Sequence, residues 1–143
     1  MIGKMSDKCK FLVNVLKNAK NDSERFAGLM IVVQTLKSDV LTELQRREIF
    51  KTIGSSFPCR LVNAVNRRED ENKQVYFSIG ISIISIYCSD SLLIQNPAAA
   101  DAVDGVLTFL PELDIESDLN LIKDSLQYLL LLSSTECHVK FLT

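Results

Sequence analysis

The chain has 143 residues, 47% of them apolar, with 5 Gly, 3 Pro and no Trp, which is enough to bury one core and too apolar for a disordered segment. Sixteen Lys and Arg face eighteen Asp and Glu for a net charge of −2, so no global field draws the protein to nucleic acid or an acidic membrane. Four scattered cysteines without a Cys-x-x-Cys pair, beside a single histidine, argue against a structural zinc and for reduced thiols packed as small apolar residues.

In chain order, the opening "MIGKMSDKCKFLVNVLK" carries charges within it and lacks the continuous apolar stretch of a signal peptide, and Ile2 excludes myristoylation. It reads as a helix over about 8–18, and the chain as soluble and intracellular. Asn21, with Glu24 three residues on, caps a helix over 22–37 whose Phe26, Leu29, Met30, Val33 and Leu36 form an apolar stripe. Thr42 with Gln45 makes a capping box for 42–53, where Ile49, Phe50 and Ile53 share a face and Gly54 stops the helix in the left-handed conformation. Pro58 suits the first turn of a short helix carrying Leu61, Val62 and Val65, and "NRREDENKQ" is a solvated loop.

The run "VYFSIGISIISIYCSD", 75–90, has some strand-like alternation, but the alternation changes register at Ile84 and the run is too long for one strand. Ser78, Ser82, Ser85 and Ser89 follow helical spacings of four, three and four. The spacing predicts a central helix over 74–89 with Ile79, Ile83 and Ile86 inaccessible and a small-residue stripe that lets a neighbour approach closely. With its serines and glycine the run is too short and too polar to span a membrane. Pro97 opens a helix over 98–110 that stops at or before Pro111. In 116–133, Leu119, Ile122, Leu126, Leu129 and Leu130 form a stripe, and Glu116 and Asp118 stand at the positive end of the helix dipole. Leucine and isoleucine stripes are read as core. A last apolar helix covers 136–143, with Thr135 as its cap.

The fold class expected is all-α. The most apolar helices begin near 22, 74 and 116, intervals that suit an armadillo or HEAT-like α-solenoid, with a compact helical bundle as the rival because no consensus residue recurs. The ending "TECHVKFLT" has no C-cap or polar tail. Residues 1–143 therefore read as a single helical domain, the N-terminal part of a longer solenoid, with an apolar patch at its C-terminal end through which the chain is expected to self-associate or, failing that, to fray beyond about Ser134.

Three blocks, "AKNDSERFAGLMIVVQTLK" (19–37), "RREIFKTIGSSFPCRLV" (46–62) and "IYCSD" (86–90), resemble the N-terminal region of the neurochondrin, or norbin, family in order and spacing. The resemblance implies an armadillo-like neuronal protein without enzymatic activity, cytoplasmic in cell body and neurites. It also implies roles in neurite outgrowth, in restraint of calcium/calmodulin-dependent kinase phosphorylation, and in binding receptor cytoplasmic tails.

No catalytic set, cofactor site or metal site is assigned. Cys137 and His138 point about 100° apart on a helix and lack a third, orienting residue. Glu69, Asp70 and Glu71 lack the alternating ligands of a calcium loop, and "GSSFP" (54–58) lacks the Lys of a phosphate loop and is a turn. Arg46, Arg47, Arg67 and Arg68 are the candidate partner-binding residues, although Glu43, Glu48, Glu69 and Asp70 dilute their field. The function expected is a non-catalytic protein-interaction scaffold. The alternative is an RNA-binding or other nucleic-acid-associated helical repeat.

Overall fold

The computed structural model describes residues 7–38, 42–54, 56–64 and 73–135, and these are helical, with no strand among them. The expected helix over 136–143 and residues 66–72 of the loop expected at 66–74 lie outside the described residues, whereas Lys73 and Gln74 begin the long helix Lys73–Cys88 instead of ending that loop. By internal packing the chain divides into two compact units, Met1–Gly54 and Ser55–Thr143.

In the first unit, α1 (Asp7–Lys17), α2 (Asp22–Ser38) and α3 (Glu43–Ile53) pack together, α1 meeting both of the others. Cys9, Leu12, Val13 and Leu16 form the buried face of α1, and Ile49 and Phe50 that of α3. Asn21 caps α2 as expected, its Oδ1 accepting from the Glu24 amide at 2.9 Å. The Glu24 carboxylate reaches one residue further back than a capping box requires, taking the Lys20 amide at 2.6 Å. Leu29, Val32 and Val33 are the buried apolar side chains of α2, with Gly28 and Thr35 buried beside them, whereas Met30, expected in the core, is exposed. The run Leu29–Val33 is apolar all round, so hydrophobicity marks no side for the core.

Both bonds of the Thr42–Gln45 capping box form. Gly54 ends α3 with its N–H donating to the Phe50 carbonyl, at φ 74° and ψ 166°. That is the extended positive-φ region reserved for glycine rather than the left-handed helical one expected from the sequence.

The second unit is built around α5 (Lys73–Cys88), which packs against α4 (Ser56–Asn63) on one side and α7 (Leu119–Ser133) on another. Close approach is written into the sequence at Gly80. A Cβ there would sit 2.8 Å from the Pro58 carbonyl oxygen and 3.0 Å from the Leu61 Cβ. At Gly105 in α6 (Val103–Phe109), a Cβ would meet the Val62 carbonyl oxygen at 2.8 Å and the Asn63 Cα at 3.0 Å. Asn63 completes that junction, donating to the Asp101 carbonyl at 2.8 Å and accepting from the Gly105 amide at 3.0 Å. Short helix α4 is thus held backbone to backbone by glycines from two neighbours.

Helix α5 confirms the reading of the long apolar run, with a correction to its faces. Ile83 is fully buried, but Ile79 and Ile86 are half-buried, while Ile81, Ile84, Ser82 and Ser85 are inaccessible. The small residues face inward because they admit the neighbouring helix. Ser82 Oγ donates to the Asp124 carboxylate of α7 at 3.2 Å, and Ser85 Oγ donates back to the Ser82 carbonyl at 3.2 Å. The helix expected over 98–110 begins as a 3-10 turn, Pro97–Ala102, capped by Asn96, becomes α6, and passes Pro111 in another 3-10 turn, Leu110–Glu112. A further short 3-10 turn, Leu93–Gln95, follows buried Asp90, whose carboxylate takes the Leu92 and Leu93 amides. Helix α7 starts at Leu119 rather than 116. The Asp118 carboxylate accepts from the Asp114 amide and from Gln74 Nε2 instead of capping its own helix.

Candidate functional site

The leucine stripe of α7 is where sequence and structure part. Its buried residues are Ser125, Tyr128 and Leu132, and the Tyr128 hydroxyl donates to the Ala99 carbonyl at 2.6 Å deep in the unit. The expected core stripe faces outward instead: Leu119, Leu126 and Leu130 are 45%, 46% and 65% exposed, and Ile122 and Leu129 are half-buried. Burying tyrosine costs little when its hydroxyl finds a carbonyl, and serine lets α5 come close, so these two residues take the inward face and leave the leucines outside.

Lys123, Leu126, Gln127, Leu130, Leu131 and Ser134, all on α7 or its C-cap, are the described residues lining a shallow, wide-open groove along this outer face. The hydroxyls at its C-terminal end are already satisfied. Ser133 and Ser134 both donate to the Leu130 carbonyl at 2.9 Å, and Thr135 donates to the Leu131 carbonyl at 2.9 Å. Among the described residues the groove therefore presents hydrocarbon, one amide and one cation, and no hydroxyl needing a partner. It suits a docked apolar side chain and offers nothing resembling a nucleophile with its base.

Elsewhere the candidate chemistry is quiet. Among the described residues no group of three or more His, Cys, Asp or Glu side chains is placed to hold a metal ion. Cys137, His138, Arg67, Arg68 and the Glu69–Glu71 cluster lie outside the described residues. Arg46 is half-buried on α3, its Nε buried without a hydrogen-bond acceptor, and Arg47 lies 3.5 Å from Glu43. Gly54 ends α3, but Ser56, Phe57 and Pro58 already form the first turn of α4, so most of "GSSFP" is helix rather than the turn expected.

The described cysteines, Cys9, Cys59 and Cys88, are buried thiols, none of them in a disulfide. Burial pushes Cys59 and Cys88 up to about 12, with Asp101 adding to Cys59 and Cys59 adding to Cys88. Burial raises Tyr128 as well. Such thiols are poor nucleophiles at neutral pH, since the thiolate is the reactive form. The folded pKa lies above the unfolded one, so their contribution to stability is complete below about pH 9 and drains away as pH rises toward 12. The unfolding free energy from urea titration should fall with pH above about 9, by on the order of 1 kcal/mol per pH unit for each thiol. The Cys59→Ala, Cys88→Ala double variant should show a shallower decline between about pH 9 and 10. Equal slopes in the two chains would contradict the assignment.

The family model described as Neurochondrin matches residues 3–142. The chain belongs to the neurochondrin family. Neurochondrin of Rattus norvegicus and that of Homo sapiens are each 32% identical to it over 98 residues, 68% of this chain and 13% of theirs. The neurochondrin homolog of Drosophila melanogaster is 29% identical over 103 residues, 72% of the chain and 14% of its own length. The match thus spans about an eighth of each neurochondrin relative. No solved structure matches. No helix among the described residues is long and apolar enough to cross a membrane.

Proposed function

We propose that this chain is a non-catalytic, protein-binding part of a neurochondrin-type helical array, and that the outer face of α7 is a docking surface in it. The observation that carries the reading is the exposure of Leu126 and Leu130 on an open groove whose neighbouring hydroxyls are turned back onto their own helix. A helix that spends its leucines outside and buries a tyrosine and a serine leaves an apolar strip of the kind proteins use for contact. Helix pairs stacked in armadillo fashion would present such strips in series. Family membership supports roles in neurite outgrowth and in neuronal receptor and calcium/calmodulin-dependent kinase signalling, carried out in the cytoplasm of neurons. The nucleic-acid alternative draws no support from Arg46 and Arg47, the first half-buried and the second beside Glu43.

The test is capture of partner proteins by the immobilised chain and by a Leu126→Asp, Leu130→Asp variant, across a salt series. Capture should be lost in the variant and persist at high salt, because an apolar strip releases no counterions. Capture that ignores both substitutions, or that collapses with salt, would reject the reading.

A further inference from the structure

We infer that the α7 groove is self-complementary, and that two copies of the chain pair through it as antiparallel helices. This rests on the reading of α7 as a docking surface and names its occupant. The lining residues run from Lys123 to Ser134, about three helical turns or ~16 Å. With the two-fold axis at the level between Tyr128 and Leu129, antiparallel pairing sets Leu126 against Leu131 of the second copy and Gln127 against its Leu130. Residue i meets j and j meets i, as an isologous contact requires. Any helical stripe has that symmetry of spacing, so the chemistry at the mated positions has to decide.

Two features of the groove favour a second copy. The central positions are leucines with one neutral amide, so no like charges meet where the helices are closest. The one cation among its described residues, Lys123, falls at the end, over Ser134 of the other copy, where α7 terminates with no basic residue in its last turn. The C-terminal end of a helix carries partial negative charge, and each copy's Lys123 supplies the cation that the other's α7 lacks. A parallel pair would instead bring the two lysines together. The strip is far smaller than the ~800 Å² per partner of a standard interface, so the pairing is weak and appears only at high concentration.

Sedimentation of the whole chain from micromolar to millimolar concentration should show a reversible rise in mass. The Leu126→Asp, Leu130→Asp variant should remain monomeric, and Lys123→Glu should weaken association by up to about tenfold by removing a favourable charge at both ends. Far-UV circular dichroism checks that each variant keeps its helix content. Register is read by oxidising a mixture of Lys123→Cys and Ser134→Cys chains, both carrying Cys137→Ser: disulfides should join 123 to 134 between copies and not 123 to 123. A chain monomeric at millimolar concentration, association unaffected by the aspartates, or 123-to-123 crosslinks in equal yield would each overturn the pairing. If the chain is monomeric while partner capture still needs Leu126 and Leu130, the pairing fails and the docking reading stands. If neither assay depends on those leucines, both fall.

Discussion

Replacing Gly80 with alanine is expected to destabilise the second unit, although alanine is the better helix former by about 1 kcal/mol in mid-helix. The opposing term is larger. The new Cβ would lie 2.8 Å from the Pro58 carbonyl oxygen and 2.9 Å from Val62 Cγ2, and a backbone oxygen within α4 cannot step aside as a flexible side-chain end can. Overpacking of this kind costs roughly 1–3 kcal/mol and occasionally more, so the net effect should be a lower urea midpoint with α4 displaced from α5. Gly105→Ala should act on the same helix from its other neighbour. There the intruding Cβ would also push Asn63 Oδ1 off the Gly105 amide it accepts from. Gly54→Ala is the informative contrast, because nothing lies within 4 Å of its Cβ position and any loss there comes from φ 74° alone. A Gly80→Ala chain as stable as the parent would show that α4 and α5 are not in the backbone contact described.

Truncating Tyr128 should cost more. The side chain is fully buried, and Tyr128→Ala removes a whole ring from the second unit, a change typically worth about 3–5 kcal/mol for a large aromatic. Tyr128→Phe separates packing from the hydrogen bond. It keeps the ring but leaves the Ala99 carbonyl without the donor now 2.6 Å away, at an expected cost of about 1–3 kcal/mol. Urea denaturation should therefore rank the parent above Phe and Phe above Ala. Equal midpoints for the parent and Tyr128→Phe would mean that the hydroxyl contributes nothing.

Much of the helical order was legible because caps and breakers are local chemistry. Asn21 and the Thr42–Gln45 pair mark helix starts with side chains that bind the nearest amides, and Gly54 and Pro97 mark helix ends through their own backbone geometry; each was found where the sequence put it. Faces were less legible in helices that are apolar all round. In α5, Val, Ile, Phe and Tyr surround the axis, so nothing in the periodicity ranks Ile83 above Ile79; Gly80, Ser82 and Ser85 decide the inward side by their size. In α7 the most hydrophobic stripe is the outward one, since Tyr128 is placed by a carbonyl on the segment Pro97–Ala102, far away in sequence. The signal for the groove was nonetheless available. The 126–132 stretch carries more apolar residues than one face can hold, and some of them had to stay outside. The arginine pairs show the opposite limit: sequence flags a charge, but not the burial of Arg46 Nε or the proximity of Arg47 to Glu43.

The buried thiols have a practical consequence. Cys9 belongs to the first unit and Cys59 and Cys88 to the second, and all three are almost wholly shielded from solvent. An alkylating reagent reaches such sulfurs only when the surrounding helices open, so the rate at which each cysteine acquires the label is a clock for the opening of its own unit. Peptide mass spectrometry resolves the cysteines individually. One labelling time course therefore times the two units side by side in unmodified protein, without a fluorophore in a chain that contains no tryptophan.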